Sequence, residues 1–399
     1  MNKNIHFIGY YFPEAYFESN IDKFFLVPFA SNRLQESFLE YIERETCHEL
    51  AISSFLPVTD YPKSSFLWVK RGHDLRFHGT CISAMSFLNL FIVKHLTKFV
   101  SLFSHLLKTH FSTKKETAYL VYNLNNIILI VLWFLNLVKR RKVVVIIADM
   151  PMAAMPDEGL LKTKLRSVDR WIVTSIVSSF DGLVVLSEHS AEDYFPTLDR
   201  IVIEGILSQD IIDKYTEKPV VYSQENTVTF TYIGRLSGSQ NLDDAIKAFQ
   251  LCKRPELRFI ICGKGELQPF IENAAVKDKR IILKGFVPNE EMEAIVESTD
   301  YFISPKKEDG YFSRYSFPSK IIEYMAYGKP VLTHKLSCLP EEYFEHLVFL
   351  QGADQEYLNF FDGCKIIDVK HREIGAAGKR FVIENKNRKH QLSKINNII

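Results

Sequence analysis

The sequence predicts an α/β protein built from two doubly wound, Rossmann-like domains. Three observations carry that expectation. Short, almost wholly apolar runs alternate with helical stretches of about ten residues, the pattern of strands buried on both faces of a parallel sheet. The rhythm lapses once, over "LSQDIIDKYTEKPVVYSQEN", and then starts again. The chain has 399 residues, 47% of them hydrophobic, which suits two cores better than one.

The elements follow in order. "IHFIGYY" reads as a first strand entering a loop. "YLVYNLNNIILIVLWFLNL" (119–137) is apolar enough to suggest a membrane span, but Asn123, Asn125 and Asn126 break it. It divides into a buried strand, "YLVYNL", and a helix ending in cations, "NNIILIVLWFLNLVKRR", followed by the strand "KVVVIIADM". "SVDRWIVTSIVSSF" continues as helix, "DGLVVLS" as strand, "EHSAEDYF" as helix and "RIVIEG" as strand. The boundary is expected near residue 220, giving domains 1–220 and 221–399. In the second, "TVTFTYIG", "LRFIICG", "RIILKG", "DYFISP" and "PVLTH" are strands, separated by "NLDDAIKAFQLCK", "ELQPFIENAAV", "NEEMEAIVEST" and the helix opened by "FPSK". The tail from about residue 372 is polar and reads as helical.

Composition narrows the function. Lys+Arg total 49 against Asp+Glu 48, so no global field favours nucleic acid. Six cysteines without a CxxC pair point away from both a zinc site and a disulfide framework, and towards a reducing cytosol. No metal cluster is visible, and the N-terminus lacks the pattern of a secretory signal. "FLNLFIVKHLTKFVSLFSHLLK" (87–108) reads as an amphipathic helix whose polar positions Lys94, Lys98, Ser101, His105 and Lys108 recur every three or four residues. Such a cationic stripe fits either an anionic membrane surface met by residues 85–115, or a helix packed on the sheet with snorkelling lysines.

Ligands of doubly wound sheets bind outside the carboxyl ends of the strands, so the residues just after each strand carry the chemistry. Here these are Gly234-Arg235-Leu236, Gly263-Lys264-Gly265, and the loop from Pro305 into "FPSKIIEYMAYGKPVL". Glycine allows close backbone approach, and cations with helix N-terminal amides can hold phosphate. Pro318 suits a first helical position, and Lys320 and Glu323, three apart, share a helix face.

In this order the motifs resemble those of the nucleotide-sugar-binding half of the GT-B-fold, family 4-like retaining glycosyltransferases, strongly over residues 226–335 and in strand order alone before that. The resemblance implies that Gly234 and Arg235 meet the donor diphosphate, that Glu323 holds the ribose, and that the base lies near Gly285, Phe286 and Val287. Gln240 and Asn241 stand where the family usually has lysine and glycine, removing one cation. Tyr315 replaces the first glutamate of the family's pair, and Lys320, with the amides near Ser319, is the candidate to supply the missing charge. In the first domain Ala148 takes the place of a histidine, while Asp149 remains.

Each residue also has a bland reading. Glu323 would then only favour its helix dipole, Lys320 would be a solvated lysine, Asp149 a cap, and Glu308 with Asp309 a solvated loop tip. The resemblance implies a cytoplasmic, metal-independent, retaining hexosyltransferase without cofactor, peripheral at the inner face of the membrane. Its donor would be a UDP- or GDP-sugar, its acceptor a glycan or polyprenyl-linked glycan in surface polysaccharide synthesis, and its reaction would take place in the cleft between the domains. A sugar-nucleotide epimerase and a non-catalytic partner of another transferase are the rival readings.

Overall fold

Strands that are apolar on both faces require helices over both faces, and the chain supplies them. The computed structural model describes residues 3–24, 28–72, 75–112, 116–150, 160–222, 226–308, 312–351, 355–365 and 368–399. Two compact units result: Met1–Glu204 joined by Leu392–Ile399, and Gly205–Gln391. The division falls after Glu204 rather than near residue 220, and the last eight residues return to the first unit. There the Ile399 carbonyl accepts from Lys3 Nζ at 3.2 Å, Asn396 donates to Tyr41 Oη at 2.9 Å, and Leu392 and Ile395 are buried.

The first unit runs β1 (Asn4–Gly9), α1 (Glu14–Glu18), α2 (Phe29–Glu45), β2 (Glu49–Ser54), β3 (Trp68–Val69), β4 (Arg76–Phe77), β5 (Thr80–Ala84), β6 (Phe87–Leu88), α3 (Val93–Ser112), β7 (Thr117–Tyr122), α4 (Asn126–Val138), β8 (Lys142–Ile147), α5 (Leu160–Val177), β9 (Gly182–Val185), α6 (Glu188–Tyr194) and β10 (Arg200–Val202). Its main sheet has the order β10-β9-β8-β7-β1-β2-β5-β4, parallel except for the β4–β5 pair, and β3 and β6 form a separate antiparallel pair. The apolar stretch at 119–137 divides as its asparagines dictate. Asn123 takes a left-handed φ of 62°, and Asn125 Oδ1 caps α4 by accepting from the amides of Ile127 and Ile128. Among the described residues no helix is long and apolar enough to cross a membrane.

Helix α3 is amphipathic, but not in the expected sense. Lys94 pairs with Asp60, and Lys98 turns inward over the rings of Phe87 (4.3 Å), Phe55 (5.2 Å) and Tyr10 (5.8 Å). His105 bonds to Ser53 Oγ at 3.0 Å. The outward face is apolar instead: Leu96 is 66% exposed and Val100 56%, beyond Phe91 and Ile92 at the helix start. The expected cationic stripe is thus two-thirds absorbed by the protein, because an aspartate and three rings wait for the lysines on the inner side. Lys108 remains exposed, and Lys114 and Lys115 lie outside the described residues.

The second unit comprises α7 (Gln209–Tyr215), β11 (Val228–Ile233), α8 (Leu242–Leu251), β12 (Leu257–Cys262), α9 (Gln268–Lys277), β13 (Ile281–Gly285), α10 (Asn289–Ser298), β14 (Tyr301–Ser304), α11 (Phe312–Tyr315), α12 (Lys320–Ala326), β15 (Val331–Thr333), β16 (Val348–Phe349), α13 (Glu356–Gly363), α14 (Val369–Asn385) and α15 (Arg388–Ser393), the last running into the first unit. Its sheet is wholly parallel, β13-β12-β11-β14-β15-β16. The chain winds outward from β11 to β13 and then crosses to β14 on the other side, so the order reverses between β11 and β14. That reversal is where a doubly wound sheet opens a crevice.

Burial lowers the Lys98 ammonium to about 8 from its ordinary 10.5. The unfolded chain therefore holds the extra proton between those two values, and stability rises with pH across that window. Lys98→Met is expected to exceed the wild type in thermal stability of the first unit at pH 7, by a margin that shrinks towards pH 10. A margin independent of pH would show that the rings hold the charge without penalty.

Candidate active site

Three strand ends in the second unit are stitched into one surface by backbone bonds. The amide of Gly234 donates to Cys262 O (2.9 Å), that of Gly263 to Gly285 O (2.7 Å) and that of Leu236 to Lys264 O (3.0 Å). The approach is too close for side chains. A Cβ on Gly263, whose φ is +138°, would lie 1.7 Å from Gly234 O, and one on Gly265 would lie 2.3 Å from Leu236 O. The glycines read from the sequence are thus required by the packing of the turns on each other.

Helix α12 docks at the same place. A Cβ on Gly234 would come within 2.9 Å of Lys320 Cε, so the lysine stem lies directly against the turn that presents Arg235. Arg235 is exposed and Lys320 half-buried, and among the described residues neither cation has a hydrogen-bond or ion-pair partner. Glu323 follows one turn later on α12, half-buried, its carboxylate accepting no hydrogen bond from a described residue. Ser319 has helical backbone angles and makes no side-chain cap; the first turn closes through Ile321 N to Pro318 O and Ile322 N to Ser319 O.

The position of α12 depends on a residue the sequence reading passed over. Strands β11 and β14 pair at Phe230–Tyr301 and Thr231–Phe302, leaving Ile233 beyond the paired stretch. The Tyr324 hydroxyl takes up both of its backbone groups, accepting from Ile233 N at 2.9 Å and donating to Ile233 O at 2.8 Å. Its ring stacks on Phe302 with centroids 4.6 Å apart. Burial pushes the phenol well above its usual range, so it remains a donor. Tyr232 does similar work next door, donating to Arg235 O at 2.8 Å.

Around this centre the other expected residues divide. Gln240 is half-buried in a short 3₁₀ turn. Asn241 adopts a left-handed φ of 55°, the conformation that glycine or asparagine accepts most readily, which accounts for asparagine at the family's glycine position. Its Oδ1 also accepts from Lys307 N at 3.2 Å, fastening the loop after β14, while Lys307 Nζ meets Asp244 at 2.9 Å. Val287 is buried, whereas Phe286 is 72% exposed with Lys264 Nζ 5.9 Å from its ring centre. Glu308 is more than a solvated tip: it accepts from Ser313 Oγ and from Ser337 N (2.8 Å). Asp309 lies outside the described residues.

Asp149 belongs to the first unit, exposed after β8. Asn123, at the end of the neighbouring β7, accepts from the amides of Ala148 (2.9 Å) and Asp149 (3.2 Å) and donates to Asp149 Oδ2 at 3.4 Å. An asparagine just past a strand and able to adopt the left-handed conformation was the available signal for this clamp.

The switch point of this parallel sheet thus carries interlocked glycine turns, two cations unpaired among the described residues and a carboxylate, where a doubly wound α/β unit opens its ligand crevice. Residues 213–355 match the family model described as Glycosyl transferases group 1, and the fold is GT-B. WcaL of Escherichia coli (strain K12), a glycosyltransferase provisionally assigned to colanic acid biosynthesis, is 24% identical over 226 residues. That likeness covers 49% of this chain and 55% of WcaL, so the chain spans about half the length of this curated relative. Among solved structures, Anabaena HepE in complex with UDP aligns with a TM-score of 0.64 at 15% identity, covering 99% of this chain and 100% of HepE. The lipopolysaccharide outer core galactosyltransferase WaaB aligns with 0.64 at 14% (99% and 98% covered), and WaaG, involved in lipopolysaccharide biosynthesis, with 0.61 at 13% (99% of each). At these identities the structures speak for the fold.

Tyr324→Phe keeps the ring and removes the hydroxyl, leaving two backbone groups without their partner. It is expected to lower the stability of the second unit by about 1–3 kcal/mol, read by urea unfolding. An unchanged midpoint would mean that water replaces the hydroxyl at no cost.

Proposed function

We propose that the chain transfers a sugar from a UDP- or GDP-sugar to a glycan or polyprenyl-linked glycan in surface polysaccharide synthesis. The observation that carries this reading is the meeting of Lys320 with the Gly234-Arg235 turn, Glu323 one helical turn beyond. Two cations without partners among the described residues at one turn suit a diphosphate, and a carboxylate one helical turn on suits the adjoining ribose hydroxyls. HepE supports it with structures holding UDP and UDP-glucose, and WcaL, WaaB and WaaG carry names of glycan assembly.

In this reading the second unit holds the donor and the first the acceptor, with Asp149 the residue of the first unit assigned to the reaction. As the glycosidic bond breaks, negative charge grows on the departing diphosphate, and Arg235 and Lys320, already in place, stabilise it. Retention of configuration without a metal belongs to the proposal and rests on the family resemblance. Work at the inner face of a membrane also belongs to the proposal and rests on α3, whose exposed Leu96 and Val100 would meet an anionic bilayer. A second reading, a non-catalytic partner, draws on Gln240 and Tyr315 standing where the family has charged residues. Transfer or donor hydrolysis by the purified chain alone excludes it.

Glu323→Ala is expected to weaken UDP or GDP by about 1.5–3 kcal/mol, measured calorimetrically, without loss of fold. An unchanged affinity removes Glu323 from the ribose. Lys320→Ala and Arg235→Ala should each weaken the nucleoside diphosphate far more than the bare nucleoside, and should lower the turnover rate further than donor affinity. Equal losses for nucleoside and diphosphate would reduce Lys320 to a structural residue of the helix start.

A further inference from the structure

A groove of about 570 Å³ runs along the outer side of α3, and none of its lining residues is assigned to the nucleotide or the reaction. One stretch of it is apolar, with Phe87 and Met85 at its floor and the exposed Trp68, Leu96 and Val100 along it. The other stretch holds Arg71, His105 and Lys108, and no carboxylate lines it among the described residues. Lys108 is exposed and has no partner among the described residues.

The basic end is built from within. Arg71 donates to His105 Nδ1 at 3.4 Å, and a guanidinium can only donate, so that nitrogen is the acceptor of the ring. His105 Nε2–H therefore points to Ser53 Oγ at 3.0 Å, and the Ser53 hydroxyl to His6 Nε2 at 2.8 Å. Ser53 and His6 are buried on the sheet. This chain of bonds orients His105, and through it Arg71, at the groove. The remaining guanidinium donors and the Lys108 ammonium are left for an anion.

We infer that this groove seats one anionic phospholipid drawn from a bilayer, its phosphate at Arg71 and Lys108 and an acyl chain along Phe87, Leu96 and Val100. The charge pattern selects the occupant: cations at one end with no acid lining it among the described residues, and apolar walls at the other, match a molecule with a phosphate and a hydrocarbon chain. A tryptophan at the rim, paired with Leu88 on the strand that leads to the exposed Phe91 and Ile92, is what a surface resting at the headgroup level presents. The inference deepens the membrane reading of α3 and rests on it for the source of the lipid.

The test titrates the full chain calorimetrically with dodecyl phosphate below its micelle concentration, with dodecyl maltoside, and with inorganic phosphate. Dodecyl phosphate should bind about ten-fold or more tightly than either of the others, since a charge-assisted bond and chain burial act together. Arg71→Gln/Lys108→Gln, both exposed positions, should erase the preference over the maltoside, and Val100→Trp, which fills the groove, should weaken both amphiphiles. UDP affinity should stay unchanged in all three proteins, which also reports that they fold. Equal binding of the two amphiphiles by the wild type, or a preference kept by the double variant, overturns the groove site. Sedimentation with phosphatidylglycerol and phosphatidylcholine vesicles separates the two readings. Binding to both without distinction keeps a membrane surface but overturns the lipid site, and binding to neither overturns the membrane reading and the lipid's source with it.

Discussion

One hydroxyl determines where the donor-side chemistry can stand. Parallel strands that part at a switch point leave backbone groups facing each other across a gap, and a gap in a core cannot keep unpaired amides and carbonyls. Tyr324 closes the gap at Ile233 by answering both groups with one oxygen. Because the tyrosine is carried by α12, the helix is held at the end of β11, and Lys320 is set beside Gly234 as a consequence, with Glu323 one turn further along the helix. The helix itself is only seven residues long, so its own dipole contributes little, and its placement matters more than its length.

The second constraint is backbone proximity. With Gly263 packed onto Gly234 and Gly265 onto Leu236, the turns after β11 and β12 form one close-packed floor, and charge must come from side chains at its edge. Arg235 and Lys320 provide it, from different elements. Asn241 adds a feature that glycine in its place could not: while taking the left-handed conformation it also grips the loop after β14 through Lys307 N. The family's lost lysine and the gained side chain thus occur at adjacent positions, and the loop is tethered where the charge was removed.

Much of this was legible in the sequence because burial on both faces writes itself as uninterrupted apolar runs, and close backbone approach writes itself as glycine. The succession of strands and helices in the second unit and the close turns at Gly234 and Gly263 follow from those two rules, whereas Lys320 and Glu323 were singled out by their place at a helix start and by the family resemblance. Other features were silent for physical reasons. Periodicity shows that Lys94 and Lys98 share a side of α3, but which way that side faces was decided by Asp60 and by rings at positions 10, 55 and 87, far away in sequence. Tyr324 within "IIEYMAY" reads as one more core aromatic, since nothing local reveals that its oxygen meets a strand end ninety-one residues earlier. Between β1 and β7 the strands β3 to β6 are short, and short strands leave too few positions for alternation to show.

The return of Leu392–Ile399 to the first unit bears on how the protein is made. A ribosome delivers the amino-terminal unit first, and that unit would ordinarily complete itself while the rest is still being synthesised. Here Leu392 and Ile395 fill buried positions and Asn396 reaches Tyr41, yet they follow the whole of the second unit in the chain. The first unit must therefore wait, with those positions uncovered, until the whole of the second has been translated. Its completion is deferred past the second unit, and a nascent chain that stalls within that unit carries an unfinished amino-terminal half for quality control to recognise.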